Sequence, residues 1–125
     1  MATATSPSAK KPPLSNRQKL LYGLVAFLAL ALLWLMFNFA SIKAEAKAGA
    51  AYGAHVGCSC RYVEGRSLGS CESDFEDGMA LVSISDDDAN KRVTASVPFL
   101  AHAVAERRGA FGCVQLNEKE IEALD

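Results

Sequence analysis

The sequence predicts an α+β protein: one transmembrane helix extending outward, then a small disulfide-stapled antiparallel β-sheet domain with a short C-terminal helix. Three observations predict it. Leu20 to Ile42 reads LLYGLVAFLALALLWLMFNFASI and carries no charge. All four cysteines, Cys58, Cys60, Cys71 and Cys113, lie beyond that run. Past the run, β-branched stretches alternate with turn sequences rich in Asp, Asn and Gly. A chain of 125 residues has room for one small domain. The segments expected are a tail over 1–19, a span over 20–42, a helical extension or linker over 43–55, and the α+β domain over 56–125.

The tail, MATATSPSAKKPPLSNRQK, has almost no apolar weight to offset the entropy of ordering, so disorder is expected up to about Pro13. Ser15 is placed to cap the incoming helix. At about 1.5 Å per residue the apolar run reaches roughly 34 Å, enough to cross a hydrocarbon core of about 30 Å with some tilt. A soluble protein would need a large core around such a helix, and this chain cannot build one. A cleaved signal peptide would have a shorter apolar region, about 7–15 residues. Ala44-Glu45-Ala46 and Ala48-Gly49-Ala50 imitate cleavage sites, but the length of the run favours an uncleaved signal anchor. A lipoprotein is disfavoured, because Cys58 lies far past the run. Tyr22 near the inner end, and Trp34, Phe37 and Phe39 near the outer end, fit the aromatic preference for membrane interfaces. Gly23, Ala26, Ala29 and Ala31 offer small faces for helix–helix contact without a G-x-x-x-G motif.

Charge sets the expected orientation. The tail holds Lys10, Lys11, Arg17 and Lys19 and no acid, whereas residues 43–125 hold nine Lys/Arg against fourteen Asp/Glu. The overall charge of −1 conceals this division. The positive-inside rule then puts the tail in the cytoplasm and the domain outside. An acidic outer domain argues against nucleic acid or anionic lipid as its partner.

After the span, KAEAKAGAAY keeps strong helix formers from Lys43 to Tyr52, and Gly53 is the expected end of the helix. Cys60, Tyr62 and the alternating Val63 read as a short strand stopped by Gly65. Ser67 to Gly78 reads as a loop or single helical turn. Met79–Ser85 and Arg92–Val97, separated by DDDANK, read as a β-hairpin. Phe99 to Glu106 and Phe111 to Leu116 are the third and fourth strands. Asn117 and Glu120 have capping-box spacing for a last short helix that carries Ile121 and Leu124 on one face.

Four cysteines in a small extracytoplasmic domain point first to a disulfide framework, which such a domain needs because it buries little apolar surface. A bridge from Cys58 to Cys60 would close a very tight ring, so each is expected to pair elsewhere. That leaves Cys58–Cys113 with Cys60–Cys71, or Cys58–Cys71 with Cys60–Cys113. A zinc or copper site using these thiolates with His55 or His102 lacks paired C-x-x-C knuckles. A thiol-exchange site would want C-x-x-C at a helix N-terminus. Other chemistry is sparse. Asp86-Asp87-Asp88 lacks a second acidic set for calcium, and Glu72, Asp74, Glu76 and Asp77 read as a wet loop. Arg107-Arg108 reads as a charged turn, and His102 as a packed or surface side chain. The S-x-x-K from Ser8 to Lys11 falls in the tail. No catalytic, cofactor-binding or metal-binding residues are assigned.

The stretches AYGAHVGCSCRYVEGRS and SISDDDANKRVTASVPFLAHAVAERRGAFGCVQ resemble the region after the membrane anchor in certain bacterial beta-lactamase-related serine hydrolases. The residues that carry the resemblance are Cys58-Ser59, Val63, Gly65-Arg66, Arg92-Val93-Thr94-Ala95-Ser96 and Gly112-Cys113. It covers about half of the chain, Ala51 to Gln115. The resemblance implies that the first and last cysteines of the pattern are partners, hence Cys58–Cys113, with Cys60–Cys71 left to bridge. It also implies a bacterial source. The family's nucleophilic serine and its lysine would follow the Gly-Cys strand, so the resemblance implies the anchor and N-terminal module without the catalytic domain.

The functional expectation is a non-enzymatic, single-pass inner-membrane protein with a periplasmic domain, acting as an accessory subunit. Its partners would be the lipid bilayer and an integral-membrane or periplasmic protein; no nucleic acid, small-molecule substrate or cofactor is expected. The alternatives are a module or remnant beside a separate serine hydrolase, and a periplasmic metal or thiol-redox protein.

Overall fold

The computed structural model describes residues 8–125; the beginning of the predicted tail, residues 1–7, lies outside the described residues. Residues 8–15 form neither helix nor strand. The chain divides into two compact units, one ending at Asn38 and the other running from Phe39 to Asp125.

Helix α1 spans Asn16–Cys58. Its start is the predicted one. The Gln18 amide donates to Ser15 Oγ at 3.3 Å, and the Ser15 amide donates to Gln18 Oε1 at 3.0 Å. These reciprocal bonds satisfy amides that no helical carbonyl reaches. In the first unit the helix is apolar all round, with an 18-residue window of mean hydropathy 2.5 that has no buried residue. By length and composition it can cross a membrane. Asn38, a polar residue in this run, donates from its side chain to the Trp34 carbonyl at 2.8 Å. That bond meets the demand hydrocarbon makes of any polar group.

The second unit begins inside α1, so Gly53 does not end the helix. Ala50, Gly53, Ala54 and Gly57 recur at helical spacing and are all buried. They form a nearly flat stripe against a four-stranded antiparallel sheet of order β1-β2-β3-β4. The strands are β1 (Ser83–Asp87), β2 (Arg92–Val97), β3 (Ala101–Arg107) and β4 (Cys113–Gln115). The register opposes Ile84 to Ala95, Val93 to Ala105 and Ala95 to Ala103. The helix meets this face closely: a Cβ on Gly53 would lie 3.4 Å from Ala95 and one on Gly57 3.1 Å from Val93. The Gln115 side chain donates to the Ala51 carbonyl and ties β4 to the same helix. The other sheet face presents Ser83, Ser85 and His102 to solvent.

Only the second strand keeps its predicted bounds. The first ends at Asp87 rather than Ser85, and the third at Arg107 rather than Glu106. The fourth is Cys113–Gln115 rather than Phe111 to Leu116, because Gly109–Phe111 form a 3-10 turn. The first strand starts at Ser83 rather than Met79, because Val82 closes a turn on the Met79 carbonyl at 2.9 Å. The third starts at Ala101 rather than Phe99, because Val97 to Leu100 form a tight turn. The predicted strand around Cys60 and Tyr62 is instead a π-helical segment, Ser59–Val63, which continues α1. Its wider hydrogen bonding shows in the Glu64 amide, which donates to the Ser59 carbonyl at 3.0 Å. A short helix α2 (Leu68–Glu72) follows, capped by Ser67. Helix α3 (Glu118–Glu122) ends the chain with the full Asn117/Glu120 capping box.

Candidate functional site

The Cys58–Cys60 segment joins the helix to everything else in the second unit. Successive helical residues turn by about 100°, so side chains two apart leave on nearly opposite sides. Cys58 accordingly bridges to Cys113 at the start of β4, with Cα atoms 6.0 Å apart. Cys60 bridges to Cys71 in α2, with Cα atoms 5.8 Å apart. This is the pairing the resemblance implied, rather than the alternative. All four cysteines are buried and none is free. While the bridges persist, no thiolate is present to bind a metal or attack a disulfide.

Directly after Cys60, Arg61 reaches the DDD sequence. Its Nε donates to Asp86 at 2.8 Å and its Nη2 to Asp88 at 3.2 Å. The third acid, Asp87, accepts from the Ala89 and Asn90 amides and forms the hairpin turn. Two acids of the triplet thus share the Arg61 cation, and the third is built into the turn. Among the described residues no three His, Cys, Asp or Glu side chains converge as metal ligands.

Tyr62 is buried under two cations, with Arg61 5.6 Å and Lys91 5.3 Å from the ring centroid. Its hydroxyl makes no well-formed hydrogen bond, although the Asp88 carboxylate lies close to it. Burial first, and the nearby Asp88 and Asp86 carboxylates next, push the phenol up to about 12. The neutral form is favoured in the folded state, so stability linked to Tyr62 is intact below the unfolded value near pH 10. It is lost as pH rises towards 12. In an alkaline titration followed by phenolate absorbance, one tyrosine should ionise late, and Tyr62→Phe should remove that late step. The same variant should change stability by no more than about 1 kcal/mol, because it deletes a buried hydroxyl that lacks a well-formed hydrogen bond. A loss of several kcal/mol would mean the hydroxyl is bonded.

Several other charges pair with one another. Arg66 binds Asp74, and Lys47 binds Glu118. Arg108 joins Glu106 on β3 to Glu120 on α3, at 3.3 and 3.1 Å. The Arg92 guanidinium, 2.5 Å from Glu106, holds that carboxyl below its usual range, and Arg108 adds to the effect. A depressed carboxyl contributes stability that is complete above its unfolded value, about pH 4.3, and declines as pH falls through the folded value. Urea midpoints should therefore drop below about pH 4, and Glu106→Gln should flatten that drop. An unchanged acid profile in the variant would remove Glu106 as a contributor.

An open groove of about 960 Å³ runs between the Lys43–Ala51 part of α1, the start of β3, and α3. Lys43, Lys47, His102, Gln115, Glu118 and Lys119 line it together with apolar Leu100 and Ile121. It is shallow, of mixed charge, and crossed by the Lys47–Glu118 pair. His55 and His102 are both exposed and far apart in role, one on α1 and one on β3. Tyr22, Trp34, Phe37 and Phe39 are all exposed on α1. Sequence reasoning missed the small-residue stripe. Its signal was present as Ala50, Gly53, Ala54 and Gly57 at i, i+3, i+4 and i+7. No protein-family model matches the chain, and no curated protein or solved structure does.

Proposed function

We propose that this is a non-enzymatic, single-pass inner-membrane protein. Its tail is cytoplasmic, its disulfide-stapled domain is periplasmic, and it serves as an accessory subunit of a membrane complex. One observation carries the reading: the helix that is long and apolar enough to span a bilayer runs on without a break and supplies a wall of the domain core. The anchor is part of the fold rather than a tether. Both small-x-small sequences, 44–46 and 48–50, lie inside this helix, and Ala50 is fully buried, which supports an uncleaved anchor. The charge division supports the orientation, and four bridged cysteines suit an oxidising compartment. The non-enzymatic reading is supported by the pairing of Arg61, Arg66, Arg92 and Arg108 with carboxylates of the fold itself. Exposed Leu81 and Phe111 offer apolar contacts to a protein partner.

Extraction in a mild detergent tests the reading. One defined membrane or periplasmic protein is expected to co-purify in fixed proportion, and a strictly monomeric chain would overturn the subunit role. The Cys58–Cys113 bridge favours a second reading, in which the domain is a module related to those attached to beta-lactamase-like serine hydrolases and acts beside one encoded separately. A neighbouring reading frame with S-x-x-K and no anchor would support it; its absence would weigh against it.

A further inference from the structure

We propose that the turn Pro98-Phe99-Leu100 is a second membrane contact, with the Phe99 ring seated in the lipid interface beside the point where α1 emerges. The inference rests on the single-pass reading above and adds a lipid-binding element to the sheet.

The turn is unusual in two ways. Leu100 N–H donates to the Val97 carbonyl at 3.1 Å, and Phe99 has φ +62°. With Pro98 before it, Phe99 holds the position of a type II turn that normally takes Gly or Asn. A bulky residue there strains the backbone, and strain of this kind is kept where it serves something other than the fold. The ring also packs on nothing, for Phe99 is 106 % exposed. A strained backbone is therefore holding an aromatic side chain out of the domain.

The direction of the turn follows from the helix–sheet contacts. A Cβ on Gly57 would lie 3.1 Å from Val93, and one on Gly53 would lie 3.4 Å from Ala95. So β2 runs opposite to α1, back towards Lys43. From Gly53 to Lys43 the helix covers about 15 Å. From Ala95 the strand covers about 7 Å to its end at Val97. The turn beyond it carries Phe99 further towards the Lys43 end of α1, where the apolar run stops at Ile42. An independent observation agrees, since Leu100 lines the same groove as Lys43 and Lys47. An exposed Phe and a partly buried Leu with lysines on the same rim match a phospholipid surface, which offers acyl chains below and phosphates above. Phe111, the other highly exposed aromatic of the domain, sits in the β3–β4 turn at the opposite end of the sheet and serves as the reference point.

The chain has a single tryptophan, Trp34, which makes a clean test possible. The full-length protein is reconstituted into phosphatidylethanolamine/phosphatidylglycerol vesicles with brominated acyl chains, in three forms: wild type, W34F/F99W and W34F/F111W. Bromine should quench wild-type Trp34, which reports the span. It should quench the tryptophan at 99 about two-fold when placed at the ~5–10 Å depth reached by interfacial side chains, and leave the one at 111 unquenched. Quenching at 34 without quenching at 99 overturns the turn's membrane contact and leaves the span standing. No quenching at 34 overturns both. A blue-shifted but unquenched tryptophan at 99 means that protein, not lipid, covers the turn, and equal quenching at 99 and 111 means the sheet is not oriented by its Lys43 end; either result overturns the proposal. Intact disulfides on non-reducing mass analysis certify that each variant has folded.

Discussion

Deleting the Cys58–Cys113 bridge in the C58A/C113A variant is expected to lower the stability of the domain by about 4 kcal/mol, the largest effect available from a single link. The bridge closes a loop of 55 residues' separation, against 11 for Cys60–Cys71. The chain-entropy relation then gives about 4 kcal/mol for the long loop and about 3 kcal/mol for the short one. A unit of this size has roughly 4–13 kcal/mol in total, so the first loss is a large share of it. The long bridge also joins the end of α1 to β4, the last strand of the sheet. Its removal should expose the β4–α3 end to proteolysis before the hairpin of β1 and β2. Urea titration of the full chain in detergent, read by protease resistance, checks this. A C60A/C71A variant that loses more than C58A/C113A would overturn the ranking.

Widening Gly57 should be nearly as damaging. A Cβ there would sit 3.1 Å from Val93 Cγ1 and 3.2 Å from Ile84 Cδ1. Val93 is fully buried and Ile84 nearly so, which leaves neither with room to move. Gly57→Val adds two further methyls to that contact, and overpacking of this kind costs about 1–3 kcal/mol. Gly57→Ala is milder, because the gain in helix propensity of about 1 kcal/mol offsets part of the crowding. Gly53 is more tolerant even though its nearest contact is shorter, 2.8 Å to Val82, since Val82 is only half-buried at the end of a loop and can shift. Gly49 is the control: its Cβ would meet Val82 at an ordinary 3.7 Å. Gly49→Ala should be neutral or stabilise by up to about 1 kcal/mol. Thermal unfolding of the three glycine variants, in the order 49, 53, 57, should show falling stability. A Gly57→Val protein as stable as wild type would mean that α1 does not lie on the sheet as described.

The sequence by itself determined whatever depends on neighbours along the chain. Charge-free composition from Leu20 to Ile42 is enough to make a membrane-length helix, because hydrocarbon burial needs no partner with a particular shape. Ser15 and Asn117 cap their helices through residues three positions away, so both caps were legible. Asp87 and Asn90 likewise form the hairpin turn from local hydrogen bonds, and the four-stranded antiparallel sheet follows from the β-branched runs on either side of it.

Tertiary structure decided the rest, and the reason is visible at two places. Gly53 looks like a helix end when only propensity is considered. In the fold it lies inside α1, where its missing side chain lets the sheet approach. At Cys60 and Tyr62, two buried residues at spacing two imitate a strand with one buried face. They belong to a helical segment instead, and both are buried because the segment is covered on two sides. Cys60 is tied to α2, while neighbouring Cys58 is tied to β4 on the other side. Local periodicity records which side chains avoid water, but not how many sides the element must bury.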